Sequence, residues 1–370
     1  MRFFYGLVTL APRSRIQGGE RMTRPDGMTR RQWGGAGLLL ATSLAMPALR
    51  AQPKLERTRL VMAVDGKASL GFLPLTISEQ LGFFKAEGLD LEINDWGAGD
   101  RAAQAIVNGA ADVCATAFAK TIELQAKNQW FQAFALQART PQIAFAVSAR
   151  NMPHYKTVAD LKGRKIGVAA LGSASYFTAG WMLARFDLKL RDVIFVEIGS
   201  TASALAALHA GQIDALSHTD PVMTMLEQKG EVKIIADTRS LKGAIDVFGG
   251  PMPSACLFAA GEFIQKNPNT CQALANAIVH GLKWLQTAGP ADIIKTVPDS
   301  YLLGDRALYL AAFDQLRESI SLDGLMPENG PRTALRTLAN FNPEIKADKI
   351  DLSKTFTNVF ARRAKERFKA

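Results

Sequence analysis

The sequence predicts an α/β protein with largely parallel sheets, built as two similar lobes. Three observations lead there. Apolar strand-like runs alternate with stretches of helical periodicity, the pattern of βαβ units. A segment of the first half recurs in outline in the second. The composition, 48% hydrophobic and 21% charged with no low-complexity tract, excludes disorder, collagen and coiled coil. No apolar run reaches the roughly 18 residues that span a bilayer, which excludes a polytopic membrane protein.

Residues 28–51 read as an export signal: Arg30 and Arg31 form a positive start, residues 34–47 a short apolar stretch, and residues 48–51 a cleavage site. Thr29, Arg30, Arg31, Gln32 and Trp33 also fit a twin-arginine pattern, with Trp33 where Phe is usual, so both export routes stand open. Met22 and Met28 are alternative starts, and residues 1–27 need not be translated. No Cys lies near the cleavage site, so a cleaved leader without a lipid anchor is expected. Removing residues 1–51 leaves enough chain for two domains of roughly 150 residues each. The net charge of +10 lies mostly in that leader, where eight Arg face only Glu20 and Asp26. The remaining +4 gives no reason to expect a nucleic-acid partner.

The elements follow in order. Residues 60–64 are a first strand, and Leu75, Ile77, Leu81 and Phe84 give a helix over 75–84. Residues 89–93 alternate apolar and polar, a half-buried strand. An Ala-rich helix follows residues 97–100, another strand begins at residues 112–115, and residues 143–147 form a further one. Residues 99–112, GDRAAQAIVNGAAD, then recur in outline as residues 199–214, GSTASALAALHAGQID. Each is a glycine turn, an Ala-rich helix, a glycine, and an Asp entering an apolar strand. Gly109 and Gly211 take the position after the helix, where the left-handed backbone is cheap only for glycine. A strand over 165–170, a loop over 171–175 and a helix over 176–186 echo the opening of the chain. In the last third, one-sided helices over 267–285, 305–320, 332–340 and 353–365 cover a core.

Searches for catalytic patterns fail: there is no G-x-S-x-G elbow, P-loop, dinucleotide fingerprint or HExxH, so no catalytic residue is assigned. The four His are scattered, and Cys114, Cys256 and Cys271 have apolar neighbours, which favours buried thiols. No metal and no cofactor are expected. What recurs is a strand running into a Gly-, Ser- or Thr-rich loop that opens a helix, where open α/β sheets bind ligands. Five such loops stand out. The first holds Leu70, Gly71, Phe72 and Pro74, an apolar wall or a helix staple. The second holds Gly97 and Gly99, and the third Thr116 and Ala117. The fourth, Ser173, Ala174, Ser175 and Tyr176, offers hydroxyls and helix amides to an anion, or is an ordinary helix cap. The fifth, His218, Thr219 and Asp220, reads ligand polarity or pairs internally.

Pro74, the run from Glu79 to Leu89, Gly109 to Asp112, the run from Val158 to Val168, Gly172 and Ser173, and Gly211 to Ala215 together resemble one family. These are the periplasmic solute-binding proteins of nitrate, taurine and aliphatic-sulfonate transporters, with the bacterial relatives of the thiamin-pyrimidine-synthesis proteins. The resemblance covers roughly residues 58–290. It implies a type II periplasmic-binding-protein fold, with residues 52–150 and 254–370 as one lobe and 151–253 as the other, hinged near 148–156 and 249–254. It also implies a monomer that carries a small polar or anionic organic solute to a permease and its ATPase at the inner membrane. The family's ligand contacts fall on Leu70, Gly71, Phe72, Pro74, Gly97, Gly99, Thr116, Ala117, Ser173, Ala174, Ser175, Thr219 and Asp220. The sequence departs from the family at residues 115–118, where relatives carry Gly, and at His218 and Asp220. An Asp in the cleft repels a small sulfonate unless paired or solvated, so a zwitterionic or mixed polar ligand is as compatible as a simple anion. The alternatives are a pyrimidine-forming enzyme on the same fold, which would need a reactive His, Lys or Cys cluster, and a sensor domain.

Overall fold

The computed structural model describes residues 54–97, 100–199 and 201–370; the expected leader and Gly99 lie outside them. The first half runs β1 (Arg59–Val64), α1 (Leu73–Gln80), α2 (Phe83–Ala86), β2 (Asp90–Asp95), α3 (Asp100–Val107), β3 (Val113–Ala117), α4 (Ala119–Ala126) and β4 (Phe131–Leu136). The second runs β5 (Ile143–Ser148), β6 (Lys165–Val168), α5 (Ala174–Ala184), β7 (Ile194–Glu197), α6 (Thr201–His209), β8 (Ala215–Thr219), α7 (Val222–Gln228), β9 (Val232–Asp237) and α8 (Leu241–Phe248). The chain then returns through β10 (Ala255–Ala260), α9 (Gly261–Lys266), α10 (Pro268–Thr287), α11 (Pro290–Thr296), α12 (Arg306–Leu316), α13 (Gly330–Phe341) and α14 (Val359–Phe368).

These strands make two five-stranded sheets of the same design. The first has the order β2-β1-β3-β10-β4 and the second β7-β6-β8-β5-β9. In each, the first three strands pair in parallel, and the fourth is antiparallel to both neighbours. The antiparallel strand is the one that arrives from the other half of the chain. The duplication seen in the sequence extends to single hydrogen bonds. Asp112 Oδ2 accepts from the Val61 amide at 2.9 Å, and Asp214 Oδ2 accepts from the Lys165 amide at 2.9 Å. Gly109 and Gly211 end their helices at φ +74° and +69°.

One boundary differs from the sequence reading. β5 was expected within the 52–150 lobe, yet it pairs with β8 and β9, Ile143 opposite Thr219 and Val147 opposite Ala215. The first crossing therefore runs through residues 137–142, ahead of the hinge expected at 148–156. All six residues of β5 are buried, as befits a central strand covered on both faces. The second crossing runs through residues 249–254, between α8 and β10. The two crossings run side by side: the Ser254 amide donates to Ala138 O (3.0 Å), and the Gln137 amide to Ala255 O (2.7 Å). Two helices also differ. The helix expected over 75–84 breaks at Gly82, which takes φ +73° between α1 and α2. The last one starts at Val359 rather than 353, after a 3-10 turn over Leu352–Lys354.

A first apolar core lies between the first sheet and α1, α10 and α12, and includes Leu60, Leu257, Ile278 and Phe313. A second runs from Phe118 and Phe258 through Leu335 of α13 to Phe177, Trp181 and Phe248 beside the second sheet. The lobes thus share packing, because α13 lies against both α4 and α5. At the α1–α10 contact, Ser78 Oγ lies near two carbonyls, Pro74 O at 2.7 Å and Ala277 O at 2.9 Å. A Cβ on Gly281 would meet Ser78 Oγ and come within 2.9 Å of the Pro74 carbonyl. Gly281→Ala is therefore expected to destabilise the protein by about 1–3 kcal/mol through overpacking, read as a lower urea midpoint. Cys114, Cys256 and Cys271 are free, with 0% exposure. Burial raises all three thiols, Cys271 to about 12. Ellman's reagent at pH 8 is expected to find no reactive thiol in the native protein and three after denaturation.

Candidate functional site

Because the parallel strands of both sheets present their carboxyl ends to each other, the loops that leave them meet across one cavity of about 270 Å³. From the first lobe come Asp65, Gly66, Ser69, Gly71 and Phe72 after β1, Asp95 and Gly97 at the end of β2, and Ala117 ending β3. From the second come Ala169 after β6, Ser173, Ala174 and Ser175 at the start of α5, and Gly199 and Thr201 after β7. His218, Thr219, Asp220 and Pro221 close β8, while Ala138, Pro141, Ser254 and Ala255 bring both crossings into the wall.

Ten residues singled out from the sequence line this cavity: Gly71, Phe72, Gly97, Ala117, Ser173, Ala174, Ser175, His218, Thr219 and Asp220. Four others do not. Leu70, 2% exposed, turns into the first core. Pro74 is buried at the first turn of α1, where its carbonyl serves Ser78. Thr116 donates its hydroxyl to Asp65 Oδ2 at 2.8 Å, so it acts on a lining residue from behind. Tyr176 lies about 100° further round the helix than Ser175. It packs on Phe195 at 4.8 Å and borders a separate cavity with Lys120 and Glu123. Asp65, Asp95, Gly199, Thr201 and the crossing residues Ala138, Pro141, Ser254 and Ala255 line the cavity without having been singled out as site residues from the sequence. The duplication held the missing signal, since it aligns the glycine turn before α3 with residues 199–201.

The polar groups fall into those already engaged and those left over. Asp95 clamps the first loop, accepting from the Gly66 amide (3.1 Å), the Lys67 amide (3.0 Å) and the Gly97 amide (2.9 Å). The two serines expected to offer hydroxyls to an anion are instead tied to each other. Ser173 Oγ donates to Ala170 O at 2.7 Å, which leaves Ser175 to donate to Ser173 across their 2.7 Å contact. Ser175 Oγ also accepts from the Ala169 amide at 3.0 Å. What this loop presents is the first amides of α5, those of Ala174 and Ser175, which have no acceptor inside the helix.

His218 and Asp220 do not pair with each other. His218 is 4% exposed, with Nε2 2.9 Å from Gly199 O and Nδ1 3.2 Å from Thr219 O. Burial holds its pKa below the ordinary value, and both ring nitrogens face backbone carbonyl oxygens. Asp220 is 1% exposed, and burial holds its carboxyl above the usual range against the pull of Arg239 and the Thr224 amide. Its Oδ1 accepts from that amide at 2.7 Å, while Oδ2 is buried without a partner. Behind it, Arg239, 1% exposed, meets Asp237 at 2.7 Å, Glu227 at 2.8 Å and Asp220 at 3.6 Å. Gln315 of α12 completes this group, its amide oxygen 3.0 Å from Arg239 Nη2 and its nitrogen 3.1 Å from Thr224 Oγ1. At that separate cavity, Lys120 pairs with Asp100 and Glu123 and lies 4.7 Å over the Phe177 ring of the other lobe.

Arg239→Met keeps the stem but leaves a fully buried Asp220 without its cation. The expected loss is about 3–5 kcal/mol, the range for breaking a buried ion pair from one side, measured by urea unfolding at pH 7.

The comparisons with known proteins agree with this architecture. A protein of Bordetella bronchiseptica RB50 with a solved structure is 51% identical, covers 86% of this chain and all of its own, and superposes with a TM-score of 0.84. The alkanesulfonate-binding protein SsuA from Xanthomonas axonopodis pv. citri, bound to MOPS, is 17% identical over 83% of this chain and 100% of its own, with a TM-score of 0.66. YtlA of Bacillus subtilis strain 168 is 22% identical over 267 residues, 69% of this chain and 75% of that protein. The fold is thus the two-lobed type II fold of periplasmic binding proteins. The family model described as NMT1/THI5 like matches residues 70–290, and the chain belongs to that family.

Proposed function

We propose that this protein is an exported solute-binding protein that captures one small organic molecule between its lobes and delivers it, unaltered, to a membrane permease with an ATPase. The observation that carries this reading is the cavity itself. It is enclosed by loops from both sheets and by both crossings, and it is lined by backbone amides, a few polar side chains and an apolar wall of Phe72, Pro141 and Ile143. Such a cavity is the usual form of a small-molecule site. Relatives in the fold support it, one of them titled as a binding protein for alkanesulfonates. In this reading residues 1–51 are the cleaved leader, the protein works as a periplasmic monomer, and the lobes are residues 52–136 with 255–370 and residues 143–248. Ligand contacts then come from Gly71, Phe72, Gly97, Ala117, Ser173, Ala174, Ser175, His218, Thr219 and Asp220.

The chemistry of the wall gives an enzyme little to work with. His218 has both ring nitrogens against carbonyls, and the three thiols lie outside the lining.

The test is a broad screen of small solutes by melting shift on the purified protein. A true ligand at a hundredfold its Kd adds about 2.7 kcal/mol of stability, and calorimetry is expected to give one site per chain. Recovery of the solute unchanged by mass spectrometry supports a carrier. Conversion of the solute to product would replace this reading with an enzyme.

A further inference from the structure

The charges around the cavity narrow the head group of the guest, and this step rests on the solute-binding reading. Among the described residues the lining carries three carboxylates, Asp65, Asp95 and Asp220, and no Lys or Arg. His218 turns its two ring nitrogens to backbone carbonyls, Gly199 O and Thr219 O, and burial disfavours its charged form. Asp95 is already held by three backbone amides. Asp220 is not. Its Oδ2 is buried and accepts from nothing, although it belongs to a residue on the cavity wall.

The nearest cation does not neutralise this side of the cavity. Arg239 meets Asp237 and Glu227 at 2.7 and 2.8 Å and stands 3.6 Å from Asp220, so one guanidinium is divided among three carboxylates. An anionic head would therefore enter a lining with three carboxylates and no Lys or Arg, the Arg101 guanidinium coming only to 3.8 Å from where a Cβ on Gly97 would stand. The amides at the start of α5 offer only partial charge, equivalent to roughly half an elementary unit, and a neutral acceptor atom satisfies them as well. A head that brings N–H donors meets the opposite situation, since a buried acceptor without a partner is the costly state that such a guest relieves.

We propose that the cavity selects a small organic amine, with an apolar body against Phe72, Pro141 and Ile143 and an N–H-bearing, protonated head that donates to Asp220 Oδ2, in preference to a sulfonate or an inorganic anion.

Three probes that share one body and differ in head group test this on the full protein: benzylamine, benzyl alcohol and benzenesulfonate, titrated up to millimolar concentration by ligand-observed NMR at pH 7. Benzylamine is expected to bind about tenfold or more tightly than the alcohol, and the sulfonate most weakly, as a desolvated charge pair requires. In Asp220→Asn the amine should lose that advantage while the alcohol keeps its affinity. Because the ratio is read within one preparation, a partly unfolded variant lowers both probes equally, and the order in the unsubstituted protein decides independently. The proposal falls if benzenesulfonate binds as tightly as benzylamine, or if Asp220→Asn leaves the ratio intact. In the first case the solute-binding reading stands and only the head group is wrong. Should none of the three bind, the solute that shifts melting in the broad screen decides: an amine upholds the proposal and an anion overturns it. If no solute shifts melting at all, the solute-binding reading itself fails.

Discussion

Each half of this chain sends one strand into the other half's sheet, and that exchange fixes everything around the cavity. β10 enters the first sheet between β3 and β4, and β5 enters the second between β8 and β9, both antiparallel to their neighbours. Hydrogen bonding along a central strand leaves little freedom in register, since a slip of one residue would turn every buried side chain to the wrong face. The crossings that feed these strands are bonded to each other through Ser254, Ala138, Gln137 and Ala255. They lie between the sheets and form part of the cavity wall. The carboxyl ends of two sets of parallel strands are thereby held facing one another, and the loops that leave those ends have one common space to enclose.

The two buried cations among the described residues, Arg239 and Lys120, each find their carboxylates within one lobe. Arg239 and its three carboxylates, Asp220, Glu227 and Asp237, all belong to the second lobe. Lys120, Asp100 and Glu123 all belong to the first. Between the lobes pass the neutral amide of Gln315 against Arg239 and Thr224, the Phe177 ring under Lys120, the Leu241 amide donating to Glu318 at 2.9 Å and Arg336 donating to Phe248 O, beside the apolar packing of α13 on α5. Pulling apart a desolvated ion pair costs several kcal/mol, whereas a hydrogen bond exchanged for water costs about one. An opening of the cleft, as the proposed function requires, is compatible with the second kind of contact and would be locked by the first.

Local features of this fold were legible in the sequence, and long-range ones were not. The strand at residues 60–64, the helix-ending glycines Gly109 and Gly211 and the long helix over 267–285 follow from hydrophobic period and backbone freedom, which act over a few residues. The sheet that receives β5 does not. Its six buried residues, IAFAVS, would suit a central strand of either sheet, and only pairing with β8 and β9, some seventy to ninety residues away, decides. The cavity follows the same division. Glycine and hydroxyl residues at strand ends marked the right loops, but not which side of each loop faces inward. Leu70 and Pro74 turn to the core beside Gly71 and Phe72, and Tyr176 turns away one step after Ser175. Asp65 and Asp95 passed unnoticed because an acidic residue ending a strand is ordinary; their role comes from partners that the fold supplies.

The duplicated halves separate scaffolding from recognition. Asp112 and Asp214 hold the amides of Val61 and Lys165 in corresponding strands. Asp95 at the end of β2 clamps the Gly66 and Lys67 amides of the loop after β1, and Glu197 at the end of β7 clamps the Leu171 amide of the loop after β6, at 2.8 Å. In both lobes an acidic residue on an edge strand thus fixes the loop that follows the neighbouring strand. The positions facing the cavity have no such symmetry. Asp65 follows β1 where Ala169 follows β6, and the end of β3 carries Thr116 and Ala117 where β8 ends in His218, Thr219 and then Asp220. Shared carboxylates engage backbone amides, which every sequence supplies, so they shape the loops without specifying a ligand. The unshared ones, Asp65 and Asp220, stand on opposite lobes and face the same cavity, and their charge becomes part of a single site only when the lobes are together.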